Sequence, residues 1–279
     1  MKEKEKSFKF KKALGQNFLT DPKICKKIVD IAQIDGGVVL EIGPGSGILT
    51  KELLKRVEKV IAVEKDKELI PILEKKFKDI ENFELVNEDF LKVDLEKIVQ
   101  KNKKFKEFRI CANLPYYITS LAVTKILMSK LEIKTITLML QKEVAKRFIA
   151  KKYDSNYGSI SVFVQYFSEP EILFNVLRGS FFPTPKVDSA VINLKYKVLN
   201  KDVEDEEFFF KVVRASFSQK RKKILNPLYE KFKAIKKDFT KKDLEQVLKK
   251  IKMENKRAQE LSVDEYIFLS NTLYENFKN

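Results

Sequence analysis

Apolar and polar positions follow two alternating periods along the first two thirds of the chain. Segments such as GILTKELLKRV and DKELIPILEKKF carry apolar residues at helical spacing. Short β-rich runs separate these segments, at 38–43, 59–66, 83–90, 108–115 and 135–140. Strands that alternate with helices are typical of βαβ units around a parallel sheet. The pattern therefore predicts an α/β fold with a Rossmann-like, mostly parallel sheet.

Two later apolar runs break this alternation. The runs at 160–168 (ISVFVQYFS) and 189–197 (SAVINLKYK) are rich in β-branched and aromatic residues, and no convincing helix separates them. Such residues are enriched in strands, and strands without a long crossover pair antiparallel. We therefore predict an antiparallel pair at the edge of the sheet.

The sequence pattern becomes helical after about Asn200. Segments from EDEEFFFKVVRASF to SVDEYIFLSNTLYENF have apolar residues at helical spacing, and Thr240 and Ser262 are predicted N-caps because acids follow them closely. We predict two domains: a sheet domain over 1–199, with a basic tail at 1–12, and a small all-α domain over 200–279.

The composition excludes several kinds of chemistry. The 279 residues include no histidine, which removes imidazole bases, histidine triads and histidine zinc sites, and we predict no metal. The two cysteines, Cys25 and Cys111, are far apart and predict packing in a reducing compartment. Because no apolar run approaches the roughly 20 residues that span a bilayer, we expect a cytoplasmic protein with no membrane partner.

The positive charge is concentrated in one segment. The net charge is +16, and ten Lys or Arg against two acids lie between Lys211 and Thr240. A general lysine bias would spread the charge evenly, whereas a cluster is typical of proteins that bind a polyanion. The distribution therefore favours a nucleic-acid partner.

A glycine-rich turn, EIGPGSG at 41–47, follows the first predicted strand of the sheet. Glycines let the backbone approach a ligand closely and turn sharply into a helix. Glu64 follows Gly43 by 21 residues at the end of the next strand, where a carboxylate can accept ribose hydroxyl bonds. If a bound cofactor contains adenosine, Asp89, in the turn after the third strand, is predicted to reach its adenine amino group, against the alternative of a simple turn-forming aspartate.

Nicotinamide and flavin sites share the glycine turn and the following carboxylate. Here the glycines run GxGxG rather than GxGxxG, and Glu41 before the turn is typical of methyltransferase loops that hold a cationic methionyl group. The loop therefore favours S-adenosylmethionine as the cofactor, and a nicotinamide-dependent oxidoreductase is the less favoured hypothesis.

The run Asn113-Leu114-Pro115-Tyr116 ends the fourth strand, at the same edge of the sheet as the glycine turn. An adenine amino nitrogen is a poor nucleophile, since its lone pair is delocalised, and it becomes positive as it attacks a methyl group. The Asn113 side-chain oxygen and the Leu114 carbonyl are suitable acceptors for its hydrogens, and Tyr116 can stack on a flipped base. The motif predicts methyl transfer to adenine without a general base.

A second aromatic block, FFPTPKVDS at 181–189, precedes the last predicted strand. Its prolines restrict the backbone and can hold an aromatic side chain in place. We predict that Phe181 faces the other side of the target base.

Together these motifs resemble those of the ribosomal RNA adenine dimethylase family, and in particular its bacterial small-subunit group. The resemblance covers nearly the whole chain. Its segments are LGQNFL (14–19), EIGPGSG (41–47), Glu64, NED (87–89), NLPYY (113–117), FFPTPKVDSAV (181–191), RASFSQKRKKI (214–224) and RAQELSVDEY (257–266).

The resemblance implies an S-adenosylmethionine-dependent enzyme that makes N6,N6-dimethyladenosine from two adjacent adenosines near the 3′ end of 16S rRNA, in the small ribosomal subunit or its precursor. We expect it to act as a monomer in ribosome biogenesis. The predicted cofactor contacts are Asn17, Leu19, Gly43, Gly45, Glu64, Asp89 and Asn113. The predicted catalytic residues are Asn113, Leu114, Tyr116 and Phe181, and the predicted RNA contacts are Lys220, Arg221, Lys222 and Lys223.

Two alternatives remain open within this resemblance. Erythromycin-resistance methylases share the fold and an N-(I/L)-P-(Y/F) motif but modify large-subunit rRNA, and an assembly factor would bind RNA with methylation secondary or lost. The C-terminal motifs favour the small-subunit group, and intact Asn113 and Tyr116 favour an active enzyme. The run 219–223 (QKRKK) departs from the family's arginine-rich stretch, and lysine binds phosphate as a point charge without arginine's fork.

Overall fold

A computed structural model describes residues 17–197, 203–233 and 240–278. The chain forms two compact units. The first unit consists of the chain up to Ala145 together with Glu171–Tyr196. The second unit consists of Lys146–Pro170 and the chain from Lys197 onward. The predicted basic tail at 1–12 lies outside the described residues.

The first unit is built around a seven-stranded sheet. The strands of the described chain are β1 (Phe18–Leu19), β2 (Val38–Ile42), β3 (Lys59–Glu64), β4 (Phe83–Asn87), β5 (Phe108–Asn113), β6 (Thr135–Gln141), β7 (Ser168–Val176), β8 (Phe181–Phe182) and β9 (Ser189–Tyr196). The helices that accompany them are α1 (Pro22–Ile31), α2 (Ile48–Leu53), α3 (Ile70–Phe77), α4 (Leu95–Lys101) and α5 (Thr119–Met128). A sixth helix, α6 (Lys142–Ile149), continues past Ala145 into the second unit.

The sheet has the strand order β4-β3-β2-β5-β6-β9-β7. The five strands from β4 to β6 in this order pair parallel with one another. Strand β9 then pairs antiparallel with β6. This order confirms the predicted Rossmann-like, mostly parallel sheet with an antiparallel strand. The antiparallel β9 lies one position in from the edge, and β7 occupies the edge itself.

The strand predicted at 160–168 is wrong, because this run forms helix α7 (Ser159–Phe167). None of its residues is exposed, and its polar side chains Ser161 and Gln165 bond to backbone carbonyls, so no solvent-facing polar stripe marks the helix in sequence. Gln165 Nε2 donates to the carbonyls of Phe148 and Ala150, 2.8 and 2.7 Å away, and ties the helix to the end of α6. Tertiary burial here outweighs the strand propensity of β-branched and aromatic residues.

The second unit is helical and has an aromatic core. Besides α7 it contains α8 (Glu206–Phe217), α9 (Leu225–Phe232), α10 (Lys241–Lys250) and α11 (Val263–Lys278). Thr240 and Ser262 cap α10 and α11 as predicted, since their hydroxyls accept from the N–H groups of Asp243 and Glu265. Residues 146–170 belong to this unit, whereas the predicted boundary followed residue 199; the functional division between the domains stays a prediction.

The parallel strands bring several loops to one edge of the sheet. Strands β2, β3, β4 and β5 run in the same direction, so the residues that follow their carboxyl ends lie side by side. A separate two-stranded sheet pairs β1 with β8 at Leu19↔Phe181, and Thr20 Oγ1 donates to the Ser180 carbonyl at 3.0 Å. Two sequence motifs about 160 residues apart are thereby joined. Among the described helices, none is long and apolar enough to cross a bilayer.

Gly47→Ala tests the tight turn that leads into α2. Gly47 has φ +72°, and a Cβ there would lie 2.7 Å from Phe77 Cε2. We expect a loss of unfolding free energy of about 1 to 2 kcal/mol from backbone strain, with about 1 to 3 kcal/mol more from overpacking. Urea unfolding followed by circular dichroism measures it. Gly179→Ala is the control, because no atom lies within 4 Å of its added Cβ; equal midpoints for the two variants would contradict the interpretation.

Candidate active site

A cavity of about 1020 Å³, its open mouth included, lies at the carboxyl edge of the parallel strands in the first unit. The structure brings together all the residues that the sequence assigns to the cofactor and the target base, although their roles remain predictions. The residues are Asn17, Leu19, Gly43, Gly45, Glu64, Asp89, Asn113, Leu114, Tyr116 and Phe181.

The glycine turn has a backbone that other residues rarely adopt. Gly43, Gly45 and Gly47 have φ values of +66°, +57° and +72°, in the left-handed region that favours glycine. The Gly43 N–H donates to the Val63 carbonyl at 2.9 Å, which fixes the turn against β3. A Cβ on Gly45 would lie 2.8 Å from the ring of Phe18. The turn thus needs glycine both for its dihedral angles and for the space beside β1.

Glu64 presents a buried carboxylate at the end of β3, with 7% of the residue exposed. Its Oε1 accepts from the Asp66 N–H at 2.8 Å, and its Oε2 accepts from the Gly45 N–H at 3.3 Å. Burial is the largest influence on this carboxyl and raises its pKa, while the two N–H donors oppose the rise. The same side chain therefore connects the glycine turn to the end of β3.

Asp89 lies in the turn after β4 and is held by two partners. Its Oδ1 accepts from the Leu91 N–H at 3.0 Å, and its Oδ2 pairs with Lys65 Nζ at 2.7 Å. The Lys65 hydrogen bond is the largest cause of the lowered pKa of the Asp89 carboxyl. Asp89 is therefore an ionised acceptor at the cavity wall, and its partner Lys65 was not predicted from sequence.

Asn113 and Leu114 lie where β5 ends. The Asn113 amide nitrogen donates to the Asn17 carbonyl at 3.4 Å, an orientation that leaves the side-chain oxygen as the acceptor of this amide. The Leu114 N–H donates to the Met139 carbonyl on β6 at 3.1 Å. These two bonds fix the strand end through the neighbouring chain segments on both sides.

Tyr116 and Tyr117 follow Pro115 in a short 3₁₀ turn over Tyr116–Ile118. The Tyr116 hydroxyl is 3.0 Å from Ser189 Oγ, and Ser189 is completely buried at the start of β9. Burial raises the pKa of Tyr116, so its phenol stays neutral. Tyr117 also lines the cavity and is 52% exposed, but it was not among the predicted site residues.

Phe181 lines the cavity but is only 3% exposed, and it packs in a core cluster with Leu19, Cys25 and Val191. Its neighbour Phe182 is 57% exposed. Phe181 therefore supports the cavity wall through packing, and its contact with a base stays a prediction.

Glu41 is the least expected member of the cavity lining. The sequence identified it only as typical of methyltransferase loops, yet it is 1% exposed and lies at the cavity. Within the described residues its Oε2 has no hydrogen-bond partner. Burial raises the pKa of this carboxyl to about 8. A buried polar atom without a partner is costly, which makes Glu41 a candidate for a ligand contact.

The predicted RNA contacts lie in the second unit, between α8 and α9. Lys220 Nζ donates to the Ser155 carbonyl at 2.7 Å, and Lys223 Nζ donates to Asn255 Oδ1 at 2.8 Å. Arg221 and Lys222 are exposed and have no ion pair among the described residues. The structure thus divides the basic run into two anchored lysines and two cations that face solvent.

The described residues contain no group of three potential Cys, Asp or Glu ligands that could hold a metal ion. Cys25 and Cys111 are free and buried. Burial raises the pKa of the Cys25 thiol to about 12 and that of Cys111 well above its ordinary value, so neither is a reactive thiolate.

The parallel sheet, the glycine turn and the carboxylates at the ends of β3 and β4 define a Rossmann-like methyltransferase. Residues 7–270 match the family model for ribosomal RNA adenine dimethylases. The chain belongs to the ribosomal RNA adenine dimethylase family.

Individual relatives agree with this assignment. The chain is 44% identical over 270 residues to ribosomal RNA small subunit methyltransferase A of Geobacillus sp. (strain WCH70), covering 95% of this chain and 92% of the relative. It is 43% identical over 271 residues to the protein of that name from Clostridioides difficile (strain 630), covering 96% and 92%.

Two solved structures extend the similarity to three dimensions. The crystal structure of a dimethyladenosine transferase from Plasmodium falciparum has a TM-score of 0.74 and 32% identity, covering 94% of this chain and 98% of that one. The structure of the 23S rRNA methyltransferase ErmE has a TM-score of 0.66 and 26% identity, covering 92% and 100%.

Lys65→Met tests the ion pair at Asp89. The substitution removes the ammonium and keeps a side chain of similar length, so we expect the pKa of the Asp89 carboxyl to rise towards its ordinary value. Carbon-13 NMR titration of labelled aspartate carboxyls measures the change. Lys92→Met removes a cation that acts on Asp89 through charge alone and gives a smaller rise; rises of equal size would contradict the assignment.

Proposed function

We propose that this protein transfers methyl groups from S-adenosylmethionine to N6 of two adjacent adenosines near the 3′ end of 16S rRNA, giving N6,N6-dimethyladenosines. The observation that supports this most directly is that one cavity contains both Asn113 with Tyr116, at the end of β5, and the carboxylates Glu64 and Asp89. A methyl donor and an amino acceptor can therefore meet in a single site.

The residues of the cavity fit S-adenosylmethionine. Glu64 offers carboxylate oxygens suited to ribose hydroxyls, and Asp89 offers an ionised acceptor for the adenine amino group. The left-handed backbone of Gly43 and Gly45 leaves room for close approach of a ligand. The unpartnered Oε2 of Glu41 suits the cationic amino-acid end. When bound, the cofactor supplies an electrophilic methyl group.

The chain's own residues prepare the adenine nitrogen for attack. The Asn113 side-chain oxygen and the Leu114 carbonyl would accept the two amino hydrogens and favour the positive charge that develops on nitrogen. Tyr116, whose ring position is fixed by the bond to Ser189, would stack on the base. A proton leaves the nitrogen after transfer, so no general base is needed during the attack.

A flipped adenine is the substrate that such a site would accept, because a base within a helix cannot reach the cavity. The positively charged Arg221 and Lys222 of the second unit would contact phosphates. The curated relatives are named small-subunit methyltransferases at 44% and 43% identity, whereas the large-subunit enzyme ErmE is 26% identical. This favours the small subunit or its precursor as substrate, and we extend the proposal to a monomer that acts in the cytoplasm.

The decisive experiment is methyl transfer from labelled S-adenosylmethionine to small ribosomal subunits that lack the modification, with large subunits in parallel and the labelled nucleoside identified. We expect dimethyladenosine in the small subunit alone. Label in the large subunit would make the chain a resistance-type methylase. Label in neither would favour an assembly factor that binds RNA without methylating it.

Asn113→Ala tests the acceptor that the mechanism requires. At saturating cofactor we expect the rate constant to fall by about 10² to 10³, the scale for losing one preorganised hydrogen-bonding group. The control is Asn276→Ala, which removes an exposed amide on α11. Unchanged turnover in Asn113→Ala, measured with the same subunits, would refute the role of this amide.

Arg221→Gln with Lys222→Gln tests the phosphate contacts. Each phosphate contact contributes about 0.7 to 0.9 to the slope of log affinity against log salt, so we expect the slope to decrease by about 1.4 to 1.8. The charge-matched control is Lys241→Gln with Lys242→Gln, at two exposed lysines at the start of α10. Equal changes in both pairs would indicate a general charge effect instead of a specific contact.

A further inference from the structure

Glu41 is a buried acid with an unusual environment. It is 1% exposed, its Oε2 has no hydrogen-bond partner among the described residues, and it lines the cavity. An ionised carboxylate in this position would be largely removed from solvent, and its Oε2 would lack a hydrogen bond from the described residues. A neutral carboxylic acid avoids most of that cost.

Among the described residues, no cation forms an ion pair with Glu41. The negative charge of Glu64 on β3 raises the pKa of Glu41 further. Lys76 on α3 lowers it, but its ammonium donates to the Ser46 carbonyl at 2.7 Å.

The other described groups that influence Glu41 are uncharged. Thr50 on α2 favours the carboxylate without offsetting the burial. Cys25 on α1 and Cys111, which pairs with Glu41 in register on β5, are neutral thiols. Burial dominates, and the pKa of Glu41 is raised to about 8.

We propose that the Glu41 carboxyl is neutral while the cavity lacks a cation and ionises when the cofactor's ammonium group enters, so that cofactor binding releases one proton to solvent. The O–H bond of the acid breaks, the proton passes to the buffer, and the carboxylate pairs with the ammonium. This inference rests on the proposed function, because the ammonium belongs to S-adenosylmethionine and to its product S-adenosylhomocysteine.

The sign of the pH dependence follows from this exchange. Protons compete with the ligand for Glu41, so affinity increases as the pH rises towards 8. Between pH 6 and pH 7 the dissociation constant of S-adenosylhomocysteine should fall about tenfold, because one proton is displaced for each ligand bound. In Glu41→Gln, which cannot ionise, the dissociation constant should be nearly independent of pH over this range.

Isothermal titration calorimetry in buffers of different ionisation enthalpy counts the protons directly. At pH 6.5 we expect roughly 0.9 proton released for each S-adenosylhomocysteine bound, allowing for slight protonation of the ligand amine. The matched ligand is methylthioadenosine, which keeps the adenine and ribose and lacks the amino acid. It should bind without releasing a proton.

The outcomes separate this inference from the proposed function. If neither S-adenosylmethionine nor S-adenosylhomocysteine binds, the proposed function fails and the inference with it. If they bind without proton release, the inference alone is overturned. Release that persists in Glu41→Gln, or that methylthioadenosine also causes, would assign the proton to another group such as Glu64. Thermal unfolding of Glu41→Gln checks that it folds, and the wild-type proton count stands without the variant.

Discussion

Parallel pairing of the strands is the constraint on which the rest of the structure depends. Strand β2 hydrogen-bonds to β3 on one side and to β5 on the other, with Leu40 opposite both Ile61 and Ile110. Because the strands point the same way, the glycine turn, Glu64 and Asn113 emerge at one edge. A shift of one residue between two strands would turn the side chains to opposite faces, so the buried β-branched residues of these strands also determine the position of the site.

The polar groups of the site are fixed by bonds that cross between these segments. Glu64 accepts from the Gly45 N–H, Asn113 donates to the Asn17 carbonyl, and Tyr116 is bonded to Ser189. Each bond joins residues that are distant in sequence, so the geometry depends on the fold and not on any single motif. Preorganised acceptors of this kind need no rearrangement as charge develops, which is the main way in which a site without a general base can accelerate the reaction.

The sequence predicted the part of the fold that repeats. Five strands of the parallel sheet, the caps Thr240 and Ser262, and most of the residues assigned to the cavity were located from local patterns. Asn17 and Leu19 were assigned only through the family resemblance. The helix at 159–167 was missed because none of its residues is exposed, so it has no solvent-facing polar side that would show a helical period. The Lys65 partner of Asp89 and the isolation of Glu41 depend on contacts between strands, and no local pattern encodes them.

Two acidic groups of the cavity, Glu41 on β2 and Asp89 in the turn after β4, illustrate how one site can hold different protonation states. Asp89 is paired with Lys65, and the pKa of its carboxyl is lowered. Glu41 is buried and forms no ion pair with any residue that the structure describes, so its pKa is raised to about 8. The cationic ligand of a methyltransferase can supply at Glu41 the positive charge that Lys65 supplies at Asp89. The charge missing from one part of the cavity therefore defines the charge that its ligand should bring.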